Sequence, residues 1–453
     1  MNILISYKLY AITDRSWLEE GEELKDAVEQ AILGGATIVQ LREKSLEYND
    51  LKKLALSVQE VCKLYNVPFI VNDNVELACE IDADGVHLGA EDMSIKKARS
   101  VLGSNKIIGA TAKTVEQALI AEKAGANYIG SGAVFGSDTK TDATNLSIDS
   151  LNEICSSVSI PVVAIGGINA YNVSALRGTS ISGVSVVSGI FARKNKTKAC
   201  RDILGNLYGR PVVECITNHV TTNEVANTVL AFGASPIMAH NVNEVEEVQT
   251  NANGLLLNLG ATDDYEAMKK AYAVANKQNH ITVIDPVGVS GITYRRDFLK
   301  ELLATNSPTC IRGNASEILA IYEGQNVTAG LDGSIDNTNI KAVTQSLANS
   351  LNTIIVASGV TDIISDGKCV YEISSGHAMQ KSLTGSGCML SACICSALAV
   401  SNINYTDIDD KNITVVKSAC QEMGDAAYRA AEYILSNNLG IYSFQTRLFD
   451  ELV

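Results

Sequence analysis

Several groups of residues in this chain have the types and spacings that can do chemistry. The stretch LTGSGCMLSACIC, Leu383 to Cys395, sets Cys388 directly behind a Thr-Gly-Ser-Gly turn and ahead of an apolar run. A flexible turn leading into an apolar helix puts Cys388 in the first helical turn, where free backbone N–H groups and the helix dipole favour an anion. A thiol there can be acidified, although most free cysteines are small apolar core residues. In QLREK, Gln40, Arg42 and Lys44 alternate at period two and so project to one side of a strand. Asn72 and Asp73 close the run FIVND, and Asp92 follows HLG. Two carboxylates at neighbouring strand ends are the share that a protein usually gives Mg²⁺, substrate phosphates supplying the rest. Taken singly, either aspartate would serve as a helix N-cap.

Further along, Asp285 ends the run ITVID, and Glu317 lies three residues after Asn314 in RGNASE. Either could be a cap; together they could place a metal, directly or through water, beside nucleotide phosphates. Ser358 in ASGVTD marks another strand end built of small residues. The loop VFGSDTKTD supplies Ser137, Asp138, Thr139 and Lys140, and the small residues of AIGGI and VVSGI would let backbone N–H groups approach an anion. No G-x-x-x-x-G-K-S/T loop occurs, which disfavours a P-loop enzyme. Cys393 and Cys395 face different sides of a helix, and the five histidines are scattered, so no zinc site is expected.

The elements that must position these residues follow from length and pattern. At 453 residues the chain is long enough for two domains. A formal charge of −15 argues against nucleic acid as a partner. The first twenty residues break into charge too soon for a signal peptide, and the apolar run after Cys388 carries Ser and Cys, as a buried helix does. No membrane span is expected, and eleven cysteines without a secretory signal point to a reducing, cytoplasmic setting. The runs KLYAITD, TIVQLRE, PFIVND, GVHLG, KIIGATA, YIGSGAVF, PVVAIGGI and GVSVVSGI alternate with helical patterns closed by glycine. Eight such units predict a (β/α)8 TIM barrel over residues 1–200, with a doubly wound sheet as the alternative. The junction is expected near residues 193–210, with RKNKTK as a solvated connection. Residues 206–453 then repeat apolar runs between helical patterns (ECIT, SPIMAH, GLLLNLG, ITVIDPVG, TCIRGN, TIIVASG), predicting a mostly parallel sheet covered on both faces.

YAITD, QLREK, FIVNDN, HLGAEDM, GSDTK, AIGGI and VVSGI, in that order, resemble thiamine phosphate synthase over essentially the whole first half. The resemblance implies condensation of hydroxyethylthiazole phosphate with hydroxymethylpyrimidine diphosphate. It implies that Gln40, Leu41, Arg42, Glu43, Lys44, Asn72, Thr111 and Lys140 contact the pyrimidine diphosphate. Asp73 and Asp92 would hold Mg²⁺, and Ser137, Asp138, Thr139, Gly167, Val187 and Ser188 the thiazole phosphate. Thr111 stands where that family usually has serine, which keeps the hydroxyl.

ITNHVTTNEVAN, SPIMAH, DPVGV, IRGNASE, ASGVTD and KSLTGSGC resemble hydroxyethylthiazole kinase over nearly all of the second half. This implies a ribokinase-like α/β domain, ATP as donor, and phosphate transfer to the hydroxyethyl group of the thiazole. Met238 and Gly385 would contact the thiazole, Arg312 and Ser358 the ATP, and Asp285 and Glu317 the metal. Cys388 would then orient or deprotonate the accepting hydroxyl as the catalytic residue, where the wider ribokinase group carries aspartate. The resemblance also implies a homo-oligomer, a trimer or a multiple of three. Two rival readings remain at this level: a non-catalytic thiamine-precursor binding protein, and a kinase for another small alcohol fused to a phosphate-binding barrel.

Overall fold

In the computed structural model, residues 5–136, 146–324, 337–404 and 411–452 are described. The chain divides into two units, Met1–Gly209 and Arg210–Val453. In the first, β1 (Leu9–Ile12), β2 (Ile38–Leu41), β3 (Phe69–Asn72), β4 (Gly85–Leu88), β5 (Ile107–Thr111), β6 (Tyr128–Gly132), β7 (Val162–Ile165) and β8 (Gly183–Val186) form a closed barrel. Every neighbouring pair is parallel, and β8 returns to β1. The expected (β/α)8 barrel is therefore what the first half forms.

Side-chain alternation explains how so short a set of strands closes. Tyr10, Ile12, Ile38, Ile70, Tyr128 and Val163 pack together inside, while Leu9, Ala11, Val39, Leu41, Phe69 and Val71 pack outward against the helices. Four of the helices between strands start on a polar side-chain cap: Asn74, Ser94, Thr114 and Ser147 accept the backbone N–H of Leu77, Lys97, Gln117 and Ser150. Asp73 and Asp92 therefore sit beside cap residues without being caps themselves.

The unit ends in the helix Lys196–Tyr208, capped by Asn195. Lys196 is 1 % exposed, and its Nζ lies 2.7 Å from Glu22 Oε1. A Cβ on Gly34 would stand 2.4 Å from the Thr197 carbonyl, so only glycine lets this helix approach so closely. The expected solvated connection is thus partly a buried helix start. Its lysine is tolerated inside because a carboxylate 174 positions earlier meets it.

The second unit is an eight-stranded sheet. In sequence the strands are β9 (Val212–Ile216), β10 (Ser235–Ile237), β11 (Gly254–Asn258), β12 (Ile281–Asp285), β13 (Cys310–Asn314), β14 (Ile354–Ser358), β15 (Asp362–Ser365) and β16 (Val370–Ile373). In space the order is β10-β9-β11-β12-β13-β14-β15-β16. All pairings up to β14 are parallel; β15 and β16 add an antiparallel hairpin that the apolar runs did not reveal.

One face of the sheet packs on the helices Ser386–Asn404, Lys411–Ser436 and Ile441–Leu452 through Met389, Cys393, Ile394, Met423 and Phe444. The other is covered by a second apolar cluster that includes Met268, Tyr272, Leu299 and Ile318. The apolar run after Cys388 is accordingly a core helix. Among the described residues, no helix is long and apolar enough to cross a membrane.

Candidate active sites

Inside the barrel, polar side chains from five strands form one continuous hydrogen-bonded chain. Gln40 Nε2 on β2 donates to the Tyr10 hydroxyl on β1 at 2.8 Å, and Tyr10 meets the Tyr128 hydroxyl on β6 at 2.7 Å. His87 on β4 joins them, with Nδ1 2.9 Å from the Tyr128 hydroxyl and Nε2 3.0 Å from Thr111 Oγ1 on β5. Burial pushes both tyrosine hydroxyls well above their ordinary pKa, so they stay protonated and able to donate. Two glycines make room. A Cβ at Gly109 would sit 2.1 Å from the Tyr128 ring, and one at Gly130 would sit 3.1 Å from the His87 ring.

Two of the sequence-predicted residues, Gln40 and Thr111, thus lie at the ends of one network. Its three middle members, Tyr10, His87 and Tyr128, were missed by sequence reasoning; a polar residue at an inward strand position was the available signal. The other members of QLREK divide by side. Leu41 packs outward in the core, and the Arg42 N–H donates to Thr13 Oγ1 at 3.1 Å. Glu43 turns to Arg15 and Ser45, while Lys44 is exposed. Burial alone would raise the Glu43 pKa, but hydrogen bonds from Arg15 and Ser45 outweigh it and hold the carboxyl at about 2. Its side chain braces the loop, so only its backbone is available to an anion.

At the end of β3, Asn72 is half-buried, and Asp73 has φ 62° with its N–H donated to the His87 carbonyl. Asp92 Oδ2 accepts the Gly89 N–H at 2.6 Å, folding the turn after β4 back on itself. The two aspartates therefore follow neighbouring, hydrogen-bonded strands, as a shared cation would require. After β7, Gly166 and Gly167 take φ 105° and 62°, and a Cβ on Gly167 would reach 2.6 Å from the Phe135 carbonyl. After β8, Val187 precedes the short helix Ser188–Phe191, whose first N–H groups have no partner within the helix. Ser137, Asp138, Thr139 and Lys140 lie outside the described residues.

The second unit gathers its polar set at the C-terminal ends of β11, β12, β13 and β14. Asp285 is 1 % exposed; its Oδ2 accepts from Ser391 Oγ at 2.9 Å and Asn258 Nδ2 at 3.2 Å, and lies 3.9 Å from Arg312 Nη1. Its Oδ1 is buried with no hydrogen-bond partner among the described residues. Burial pushes the carboxyl up to about 6, with Arg312 opposing and Glu317 reinforcing. A buried oxygen without a donor suits a cation or a second proton-bearing group. Glu317 is placed differently: Oε1 accepts the Gly288 N–H at 2.8 Å and Oε2 the Asn314 N–H at 2.9 Å. It ties the turn after β12 to the end of β13, leaving each oxygen one further lone pair.

Arg312 Nη2 donates to Ser358 Oγ at 2.5 Å, joining the two residues expected to meet ATP. A Cβ on Gly387 would lie 2.6 Å from Arg312 Nη1, so the guanidinium rests against the start of the helix Ser386–Asn404. Cys388 stands in that first turn, where Asn258 Nδ2 lies 3.2 Å and Asn218 Nδ2 3.7 Å from its Sγ. Burial and the Asp285 carboxylate raise its thiol pKa, against hydrogen bonds from Thr221 and Asn218 and the charge of Arg312. Helix position alone does not make it a thiolate. The sulfur accepts from two amides, which leaves its S–H to point elsewhere.

Gly385, at φ 83°, crowds Thr221, whose Cγ2 would lie 2.5 Å from an added Cβ. Met238 follows the edge strand β10, half-buried against the core. Asn218, Asn258 and Ser391 were not foreseen; Asn258, a polar residue closing an apolar strand, carried the same signal as Asp285. If the thiol positions the acceptor hydroxyl, Cys388→Ser should keep a measurable part of kinase turnover and Cys388→Ala should lose roughly tenfold or more. Full turnover in both variants would remove the role.

Among the described residues, the chain is a closed parallel barrel unit followed by a mostly parallel α/β unit, each gathering polar side chains on its strands, a two-unit α/β protein. Residues 9–190 match the thiamine monophosphate synthase family, and residues 207–453 match the hydroxyethylthiazole kinase family. The chain is 34% identical to the thiamine biosynthetic bifunctional enzyme of Saccharomyces cerevisiae, covering 82% of this chain and 79% of that protein. It is 31% identical to a probable thiamine biosynthetic bifunctional enzyme of Schizosaccharomyces pombe, over 85% of this chain and 83% of the relative. The first unit alone is 50% identical to the thiamine-phosphate synthase of Clostridium novyi, over 41% of this chain and 91% of that enzyme. The chain belongs to the family of bifunctional thiamine biosynthetic enzymes, with a thiamine monophosphate synthase domain followed by a hydroxyethylthiazole kinase domain.

Proposed function

We propose that the second unit phosphorylates 4-methyl-5-(2-hydroxyethyl)thiazole from ATP, and that the first joins the product to hydroxymethylpyrimidine diphosphate, giving thiamine phosphate and pyrophosphate. The observation that carries this reading is the buried Asp285 oxygen without a donor, set beside Arg312 and the first turn of the Ser386–Asn404 helix. That combination receives a transferred phosphoryl group: a cation and backbone N–H groups face its oxygens while the acceptor hydroxyl lies against Cys388. Arg312 and Ser358 would hold the nucleotide, and Met238 and Gly385 the thiazole. Asp285, with Glu317 as a more remote partner, would hold Mg²⁺, which neutralises charge on the transferring phosphates.

In the barrel, the thiazole nitrogen attacks the pyrimidine methylene carbon as the C–O bond to pyrophosphate breaks. The pyrimidine ring spreads the positive charge, so the barrel need supply no strong base. Arg42, Lys44, Asn72 and Lys140 would meet the diphosphate, and Asp73 and Asp92 would hold the Mg²⁺ that offsets its gathering charge. Gly167, Val187, Ser188 and the loop of Ser137, Asp138 and Thr139 would hold the thiazole phosphate. Eleven cysteines without a disulfide agree with a cytoplasmic setting. A homo-oligomer in multiples of three copies belongs to the same reading, and sedimentation checks it.

The test supplies the purified chain with Mg²⁺, ATP, hydroxyethylthiazole and hydroxymethylpyrimidine diphosphate. Thiamine phosphate that forms only with ATP is the expected result. Silence that is relieved by supplying thiazole phosphate would sink the kinase assignment alone; continued silence would sink both.

A further inference from the structure

The buried amide of Asn258 has every one of its hydrogen-bonding positions occupied. Asn258 closes β11 and is 1 % exposed. Its Oδ1 accepts the Gly260 N–H at 3.0 Å and Asn218 Nδ2 at 3.2 Å. Its Nδ2 lies 3.2 Å from Asp285 Oδ2 and 3.2 Å from Cys388 Sγ. A side-chain amide carries two N–H donors on its nitrogen and accepts twice at its oxygen, so all four positions are used. The two ends cannot trade places, because the Gly260 N–H can only donate and so needs the oxygen. The nitrogen therefore faces the carboxylate and the sulfur together. Asn218 is oriented in the same way, its Oδ1 accepting from Thr221 Oγ1 at 3.3 Å.

We propose that Asn258 is a positioning residue for the kinase, one amide that ties the Asp285 carboxylate to the Cys388 thiol. Asp285 Oδ2 also accepts from Ser391 Oγ at 2.9 Å, so Asn258 and Ser391 together decide which carboxylate oxygen is left for a cation. The sulfur lies against the amides of Asn258 and Asn218. The group that would hold the cation and the group beside the accepting hydroxyl thereby share one support. Neither can shift without straining the other, and a buried network of this kind is stiff while every member is satisfied. With all four positions used, Asn258 has no atom to offer ATP or the thiazole, and it acts through its neighbours. This role rests on the kinase reading of the second unit.

The test uses the full chain with Mg²⁺, ATP and hydroxyethylthiazole, and follows thiazole phosphate. Asn258→Ala and Asn258→Ser remove the amide and leave its neighbours in the chain. Each should lower kcat about tenfold or more and leave KM for ATP and for the thiazole within about threefold of wild type. Should one variant fail to fold, the other carries the test. The same substitution is then made beside Cys388→Ala. Because the amide acts partly through the sulfur, its loss should cost about threefold less, or better, in that background than in wild type.

A merely structural role would lower the thermal midpoint and cost the same factor in both backgrounds. Equal factors therefore overturn the link and leave the kinase reading standing. So does a kcat within about threefold of wild type in the folded variants, or a loss that falls on KM alone. No thiazole phosphate from wild type would remove the kinase reading, and the role of Asn258 with it.

Discussion

Asp285→Asn should lower thiazole phosphorylation by about a hundredfold or more, the range seen when one preorganised electrostatic contact to a transition state is removed. The side chain changes little in size, so the packing around it survives. What changes is the charge and the type of atom. One carboxylate oxygen accepts from Ser391 and Asn258, and the other is buried without a donor. An amide there must turn an N–H either toward Asn258 and Ser391, losing their bonds, or into the space that a cation and a nucleotide need. Measuring kinase turnover at saturating ATP, beside thiamine phosphate formation from supplied thiazole phosphate, separates this from general damage. The first should collapse and the second should hold. Turnover within about threefold of wild type would show that Asp285 is no part of the transfer machinery.

The largest stability effect is expected at Glu214, which no proposed step uses. Glu214 lies on β9 between Ile237 of β10 and Leu255 of β11, is fully buried, and has no hydrogen-bond partner among the described residues at either carboxylate oxygen. Burial, with a contribution from the Glu244 carboxylate, pushes its pKa up to about 8. The sign follows directly. A carboxyl whose pKa is raised on folding is least destabilising while both states are protonated, below about pH 4.5, and stability falls as pH rises from there through 8. By linkage, the shift amounts to about 3 kcal/mol at pH 7 and about 4 kcal/mol or more at pH 9. Glu214→Gln should therefore raise the unfolding midpoint of the second unit at pH 7, raise it further at pH 9, and leave it nearly unchanged at pH 4. Thermal or denaturant unfolding at three pH values reads this. A gain independent of pH would mean that the amide finds hydrogen bonds the acid lacks, and that ionisation is not the cause.

The parts of this molecule legible in its sequence were those decided locally. Most barrel units are a short strand followed by a helix, four of those helices started by a polar cap, so the repeats announced themselves without any long-range contact. The same holds for the strand-end residues Asn72, Asp285 and Ser358, whose position is set by the strand that precedes them. What escaped was decided by partners far along the chain. Glu43 looked like one of five consecutive binding residues, but Arg15 and Ser45 hold its carboxylate. Tyr10, His87 and Tyr128 are ordinary residue types until parallel pairing brings them to one level inside the barrel. Asn218 and Asn258 meet Cys388 from positions 170 and 130 residues earlier, so nothing near the cysteine announced that its sulfur would be held by amides. The hairpin of β15 and β16 has two four-residue strands, the second of them half-exposed, too short a pattern to separate from the loops around it.

The burial of Lys196 against Glu22 bears on how such a gene can be cut or joined. A charged run between two domains invites a recombination joint, because a solvated linker tolerates insertion and loss. Here the run opens the helix Lys196–Tyr208, which covers the ring's first helix and lies where Gly34 leaves space for it. A break at that point would take Lys196 away from Glu22, whose carboxylate would keep the Glu19 N–H, and would uncover the first helix at Gly34. The seam that shuffling can use is narrower: it falls after Tyr208, where Gly209 ends the helix at φ 98° before β9 begins.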